Sequence, residues 1–383
     1  MKKIYPFGFY LLYFGANACL FPYLVLYYQG LGFSGAQIGL FSSLAPLIML
    51  AGAPFWTGIA DTTRRHKLVM GVTLLVSIGL AALFPFARTF APVFGLMLLF
   101  SFMLSPVSSF ADAATLTMLG DQKHMYGRVR VGGSIGWGVA ASIAGIAIEK
   151  YGLNLAFWFY AALMFIGFLV SRKFEFNHIK QEVSIKHGIR QLFSNRRLVL
   201  FLAAAFVCGM AFMSINAYLS AYMAEYGMGE SVMGYALGIA AIAELPALFY
   251  AHRLLARLKP HGMLILSMIA TMVRLFLYAT LTTKTGILVF QVINGITFAS
   301  MWVAGVSYVS EIAPPSLSAT AQGIFGAAVF GFGSAAGGFL GAILLERVGG
   351  ARMYAIFGAL VLVALVVYLL LERQLPKVEY AEV

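Results

Sequence analysis

Apolar segments of about twenty residues recur along this chain from near its start to near its end, and each is long enough as a helix to cross a bilayer core. In lipid every backbone N–H and C=O has to be satisfied internally, which leaves helices or a closed barrel. Segments of this length and spacing read as helices. The composition agrees: 61% of the residues are hydrophobic and 10% charged, against about 25% charged in soluble domains. The expected fold class is therefore an all-α integral membrane protein.

The spans read as 4–28, 36–60, 68–87, 92–119, 130–149, 153–171, 198–224, 231–256, 262–281, 286–312, 317–345 and 353–371, a total of twelve helices. Lys2 and Lys3 before an apolar run resemble a signal peptide. The run continues to Tyr28 without a clear small-residue cleavage site, so it reads as a retained first span. One connection, 172–197, is long, polar and basic. It divides the chain into a first bundle, 1–171, and a second bundle with a short tail, 198–383, as two pseudo-symmetric sets of six helices. An internal echo supports the division, because IGLFSSLAPLIMLAG from Ile38 aligns with MGYALGIAAIAELPA from Met233, and each leads into a basic loop. Duplicated halves of this kind are the sequence trace of transporter folds.

The formal charge of +12 is not read as a nucleic-acid footprint, since no basic patch interleaved with aromatics lies outside the spans. With the N-terminus inside, nineteen Lys and Arg fall in inside connections and five outside. That bias orients the chain with both termini cytoplasmic, in what is expected to be a bacterial inner membrane. Cys19 and Cys208 fall inside spans and read as small packing residues. No metal-ligand cluster, phosphate loop or ATPase signature is present, so neither metal nor cofactor is expected. Gly132-Gly133-Ser134-Ile135-Gly136 matches G-x-S-x-G, but on a helix and with no histidine in mid-span it lacks the elbow and triad an enzyme needs.

Four charges remain inside apolar helices: Asp112, Arg130, Glu244 and Arg274. A charge at a helix centre costs about 2.5–3.5 kcal/mol on insertion scales, so such residues face a bundle interior or wet cavity and pair with one another. One acid and one base lie in each half. They either line a cavity between the halves or form structural ion pairs within each half. Arg130 and Trp137 are seven apart and share a helix face, while Gly132 and Gly136 form a small-xxx-small pair. The indole suits stacking on a sugar ring, base or aromatic acid, and equally suits bulk packing. Asn17, with Tyr13 one turn before it, and Asn294, next to Gln291, complete the candidate lining. Pro106 and Pro246 are expected to bend their helices near the charges.

These residues resemble the major facilitator superfamily, and within it the lactose-permease-like group that includes phenylpropionate permeases, with nucleoside proton symporters more distant. The most specific stretch is FADAATLTMLGDQKHMYGRVRVGGSIGWG, an acid on the fourth helix followed by an aromatic-Gly-Arg-x-Arg run into a Gly-rich fifth. The resemblance implies that Asp112, Arg130 and Trp137 bind solute. It also implies that AELPALFY places Glu244 on the family's eighth-helix acid and TMVRLFLY places Arg274 on its ninth-helix arginine. The group's tenth-helix His and Glu correspond here to Asn294 and Thr297, so proton coupling is left to Glu244 or Asp112. TGIADTTRRHK is similar to the superfamily's cytoplasmic gate motif, which gives Asp61, Arg65 and, from the fourth-to-fifth connection, Arg128 as gating residues. Asp61 is expected to meet the positive N-terminus of the eleventh helix near Ser316.

The expected function is secondary transport by alternating access, as a proton-coupled symporter of a small polar organic solute such as a sugar, nucleoside or aromatic acid. Arg274 is expected to hold Glu244 or an anionic group of the solute in a charge-assisted bond. The alternative is a proton-driven exporter of amphiphilic compounds, suggested by 18 Met and 33 Phe. The partners are the solute, protons and the bilayer, and the chain is expected to act as a monomer.

Overall fold

The computed structural model describes residues 4–176, 192–313 and 317–374. Lys2, Lys3, most of the basic linker, Pro314 to Ser316 and the C-terminal tail lie outside the described residues. Helices follow one another in chain order. They are α1 Ile4–Gly30, α2 Gly35–Thr63, α3 His66–Phe86, α4 Phe90–Lys123, α5 Tyr126–Tyr151, α6 Leu155–Ser171 and α7 Arg196–Glu225. After the 51-residue stretch Glu230–Thr280 come α10 Lys284–Ile312, α11 Thr320–Val348 and α12 Gly350–Gln374.

The 51-residue stretch is two helices. At Lys259 the backbone leaves helical geometry (φ 56°, ψ 170°) just before Pro260. Glu244 and Arg274 both bond to the single side chain of Asn294, although a straight helix would hold them about 45 Å apart. The chain therefore doubles back, giving α8 (230–258) and α9 (260–280). Ten stretches of the described chain are long and apolar enough to cross a membrane. This is a multi-pass, all-helical membrane protein. α6, at 17 residues, is a shorter apolar helix, and it and α8 coincide with the two other segments expected from the sequence.

The helices near the charges are interrupted where the sequence carries breakers. α1 tightens into a 3₁₀ turn at Phe21–Tyr23 around Pro22, and α4 breaks at Ser105-Pro106. α10 has a 3₁₀ turn at Gln291–Ile293, and α11 has a π-helical turn at Ala327–Gly333. At Pro246 α8 continues with helical φ/ψ. The fifth helix begins earlier than expected, at Tyr126 instead of 130, so that Arg130 lies one turn inside it.

Gly132 and Gly136 press against α1. A Cβ at Gly132 would lie 2.7 Å from the Phe7 carbonyl oxygen, and one at Gly136 would lie 2.7 Å from the Leu11 carbonyl carbon. The small-xxx-small pair thus brings two backbones together, as van der Waals packing between membrane helices requires.

Among the helix crossings that join the chain before the linker to the chain after it, two are lined by small residues. In the first, α5 meets α8: Gly138 faces Ala241, and Gly145 faces Gly234. In the second, α2 meets α11: Gly39 faces Phe339, and Gly338 faces Ser42. Both crossings use the ends of α2 and α8 that lie away from the basic loops at Arg64 and Arg257. The seam is closed on the face opposite the basic loops.

Candidate functional site

Asp112 sits on α4 beyond the Ser105-Pro106 break, on a stretch whose neighbours Ala111 and Thr115 are buried. Its Oδ1 accepts three hydrogen bonds: from Tyr10 Oη of α1 at 2.5 Å, from Tyr126 Oη at 2.9 Å, and from Arg130 Nη1 of α5 at 2.9 Å. Among the described residues its Oδ2 receives none. The Arg130 guanidinium also lies over the rings of Tyr10 and Phe14, each centroid 5.2 Å away. Such contacts are favourable when the cation is partly desolvated. The Asp112 and Arg130 side chains keep 35% and 37% of their surface open, although both lie on helices otherwise packed or lipid-facing. A charge pair that is held on one side and open on the other is a group arranged to meet something polar.

The second cluster is closed. Arg274 on α9 is 2% exposed. It donates to Asn294 Oδ1 at 2.6 Å, Gln291 Oε1 at 2.7 Å and Tyr278 Oη at 3.0 Å, with the Tyr278 ring beside it. Asn294 Nδ2 in turn donates to Glu244 Oε1 at 2.7 Å. The expected direct bond between Arg274 and Glu244 is therefore replaced by a relay, in which the amide accepts from the cation and donates to the carboxylate. The physical reason is reach: the tenth helix stands between α8 and α9, and its 3₁₀ turn at Gln291–Ile293 delivers Gln291 and Asn294 together to the guanidinium. A small cavity lined by Cys208, Phe212, Thr271, Phe298 and Met301 adjoins Arg274.

Each pair of opposite charges finds its partners within its own half. The α5–α8 register, with Gly138 facing Ala241, puts Glu244 level with Ile135, about 8 Å further from the basic loops than Arg130. Trp137 lies two residues beyond the Glu244 level, about 3 Å further from the basic loops. It packs on Ala18 of α1, Ala141 of α5 and Leu237 of α8, just inside the closed seam. Asn17, 5% exposed, lies one residue before Ala18 and holds its Oδ1 without a hydrogen-bond partner.

The gating candidates are open to solvent. Asp61 accepts from His66 at 2.7 Å with 71% of its side chain exposed, and Arg65 and Arg128 are exposed. Among the described residues no contact joins Asp61 to α11. Ser316, near which that contact was expected, lies outside the described residues. Tyr10, Tyr126, Tyr278 and Gln291 are the polar partners that sequence reasoning did not place in the site. With 19 tyrosines in the chain, nothing local marks Tyr10 or Tyr278, whereas Tyr126 is the aromatic of the Tyr-Gly-Arg-Val-Arg run and Gln291 stands beside Asn294.

A family model described as the MFS_1 like family matches residues 7–356. The chain belongs to this family. As a major facilitator protein it is a solute transporter and not an enzyme. It is 27% identical over 379 residues to the maltose permease of Geobacillus stearothermophilus, a match that covers 97% of this chain and 95% of that one. It is likewise 27% identical over 356 residues to the uncharacterized transporter YwbF of Bacillus subtilis, covering 92% of this chain and 89% of that one. The crystal structure of the nucleoside transporter NupG superposes with a TM-score of 0.83 at 18% identity, covering 97% of this chain and 98% of that one. That likeness establishes the major facilitator fold.

Proposed function

We propose that this transporter is a proton-coupled symporter of a small polar organic solute, working by alternating access in a bacterial inner membrane. Twelve crossings form two six-helix bundles, 1–171 and 198–383, joined by the 172–197 linker, with both termini and the basic loops in the cytoplasm. The conformation described is then the one open to the cytoplasm. The observation that carries the reading is the Asp112–Arg130 pair. It is fixed by Tyr10 and Tyr126, is about one-third open, and lies on the unsealed side of a seam closed at α2–α11 and α5–α8.

In this reading Asp112 Oδ2 accepts a solute hydroxyl and Arg130 donates to a hydroxyl or carboxylate, while Trp137 and Asn17 meet the ring side of the solute. Glu244 carries the proton. Burial raises a carboxylate pKa and a nearby cation lowers it. A change in the Asn294 relay between Glu244 and Arg274 would therefore change proton affinity as the bundles rock. Asp61, Arg65 and Arg128 serve the opposite gate, with Asp61 meeting α11 when the cytoplasmic side closes.

Sugars, nucleosides and aromatic acids are screened by thermal shift on the purified protein, because a ligand that binds only the folded state stabilises it. Those that stabilise it are then offered to vesicles carrying an inward proton gradient. Accumulation that collapses with a protonophore is the expected result. Accumulation that is indifferent to the gradient would overturn the symport reading.

A further inference from the structure

Two acids outside the solute site cross the seam, and they do so in the same way. Glu149 near the end of α5 accepts from the backbone N–H of Ser231 in the first turn of α8, at 2.7 Å. Glu346 near the end of α11 accepts from the backbone N–H of Gly35 in the first turn of α2, at 2.8 Å. Each bond ties the end of a helix in one half to the start of a helix in the other.

The surrounding sequence repeats as well. Glu149 begins Glu-Lys-Tyr-Gly and Glu346 begins Glu-Arg-Val-Gly, and the closing Gly152 and Gly349 both take positive φ, +92° and +80°. The receiving helices are entered alike, after Gly227 at φ +68° and Gly32 at φ +78°. This is the register in which Ile38 aligns with Met233. The internal duplication therefore carries the contact twice.

The receiving ends are built to be completed from across the seam. A helix start leaves its first N–H groups without intrahelical partners. α8 begins on Gly229, which has no side chain with which to cap it, and a Cβ there would lie 2.6 Å from the Glu149 carboxylate. α2 caps itself with Ser34 and Gln37, and Glu346 takes the Gly35 N–H that this arrangement leaves over. Both carboxylates also meet the positive end of a helix dipole, where a negative charge is favoured. Directly beneath them lie close approaches of the two halves, Gly145 to Gly234 and Gly338 to Ser42.

We infer that Glu149 and Glu346 are paired gate residues that hold the face opposite the basic loops shut in this conformation and let go when that face opens. This rests on the alternating-access reading. Both sit at the ends of their helices, so on opening the carboxylates and the freed N–H groups pass to water, and the contact is reversible.

The test uses Ser142→Cys and Ser42→Cys, which lie in the two seams. Cys19 and Cys208, each 2% exposed, add little background. Labelling by a membrane-impermeant maleimide from the face opposite the basic loops is compared with and without Glu149→Gln and Glu346→Gln. Gln keeps an acceptor and removes the charge, so each single change is expected to raise the labelling rate about three- to tenfold and the pair more than either. Glu225→Gln is the control. Glu225 caps Gly350 by the same chemistry at 2.7 Å, but between α7 and α12 of one half, so it should leave seam labelling unchanged. Unchanged labelling in the Glu149 and Glu346 variants, or an equal rise with Glu225→Gln, would overturn the inference. Modulation by solute of the two cysteines in the otherwise unaltered chain reports alternation itself, so failure of the latch and failure of alternating access give different results.

Discussion

Asp112→Asn is expected to reduce solute transport at least about 30-fold, with the protein still inserting. The reasoning is local. Asp112 Oδ1 gathers Tyr10, Tyr126 and Arg130, so its charge fixes the guanidinium in the open part of the site. Asn keeps an acceptor for the two hydroxyls but no longer holds the cation. Truncating one partner of a hydrogen-bonded charge pair costs about 2–5 kcal/mol. The lower end applies here because both side chains are about one-third open to water. The check is initial-rate uptake normalised to protein in the membrane, and the loss should appear mainly as raised KM if the pair only binds. Uptake within about threefold of the unaltered protein would remove the pair from the site.

Arg274→Met is expected to have the opposite profile, a large loss of stability. The guanidinium is 2% exposed and satisfies three acceptors on three side chains. Its removal leaves Asn294 Oδ1 and Gln291 Oε1 buried without their donor, and leaves Glu244 without its relayed cation. Breaking a buried charged network of this kind costs about 3–5 kcal/mol, which in detergent should lower the unfolding midpoint by on the order of 10 °C. Arg274→Lys should recover little, because an ammonium group cannot fork across Asn294, Gln291 and Tyr278 as a planar guanidinium does. A midpoint unchanged by Arg274→Met would mean that the cluster carries no stability.

The fold was legible because lipid leaves few options: twenty-residue apolar runs separated by glycine, proline and basic loops have to be helices, and the positions of α1 to α12 follow them closely. The four intramembrane charges were legible for the same reason, since each is costly unless paired. The pairing of Asp112 with Arg130 within one half was among the readings the sequence allowed; the link of Glu244 to Arg274 through Asn294 was not. Asn294 lies on α10, twenty residues beyond Arg274 and fifty beyond Glu244 in sequence, and only the reversal at Lys259 brings the three side chains together. Tyr10 escaped because an aromatic hydroxyl in a span looks like any other aromatic until a carboxylate stands beside it, and Tyr126 because the sequence spans left it in the connection before the fifth helix. Glu149 and Glu346 escaped because a charge at the end of a helix reads as an ordinary boundary residue. Their meaning depends on which foreign helix starts within reach.

Coupling through Glu244 is the central claim, and Glu244→Gln tests it most directly. Purified protein in vesicles is given a stabilising solute, and two rates are compared: exchange of labelled for unlabelled solute with no gradient, and uphill accumulation driven by acid outside. The account predicts that the Gln variant still exchanges solute but no longer accumulates it. A Gln variant that continues to concentrate solute in a proton-dependent way would contradict it.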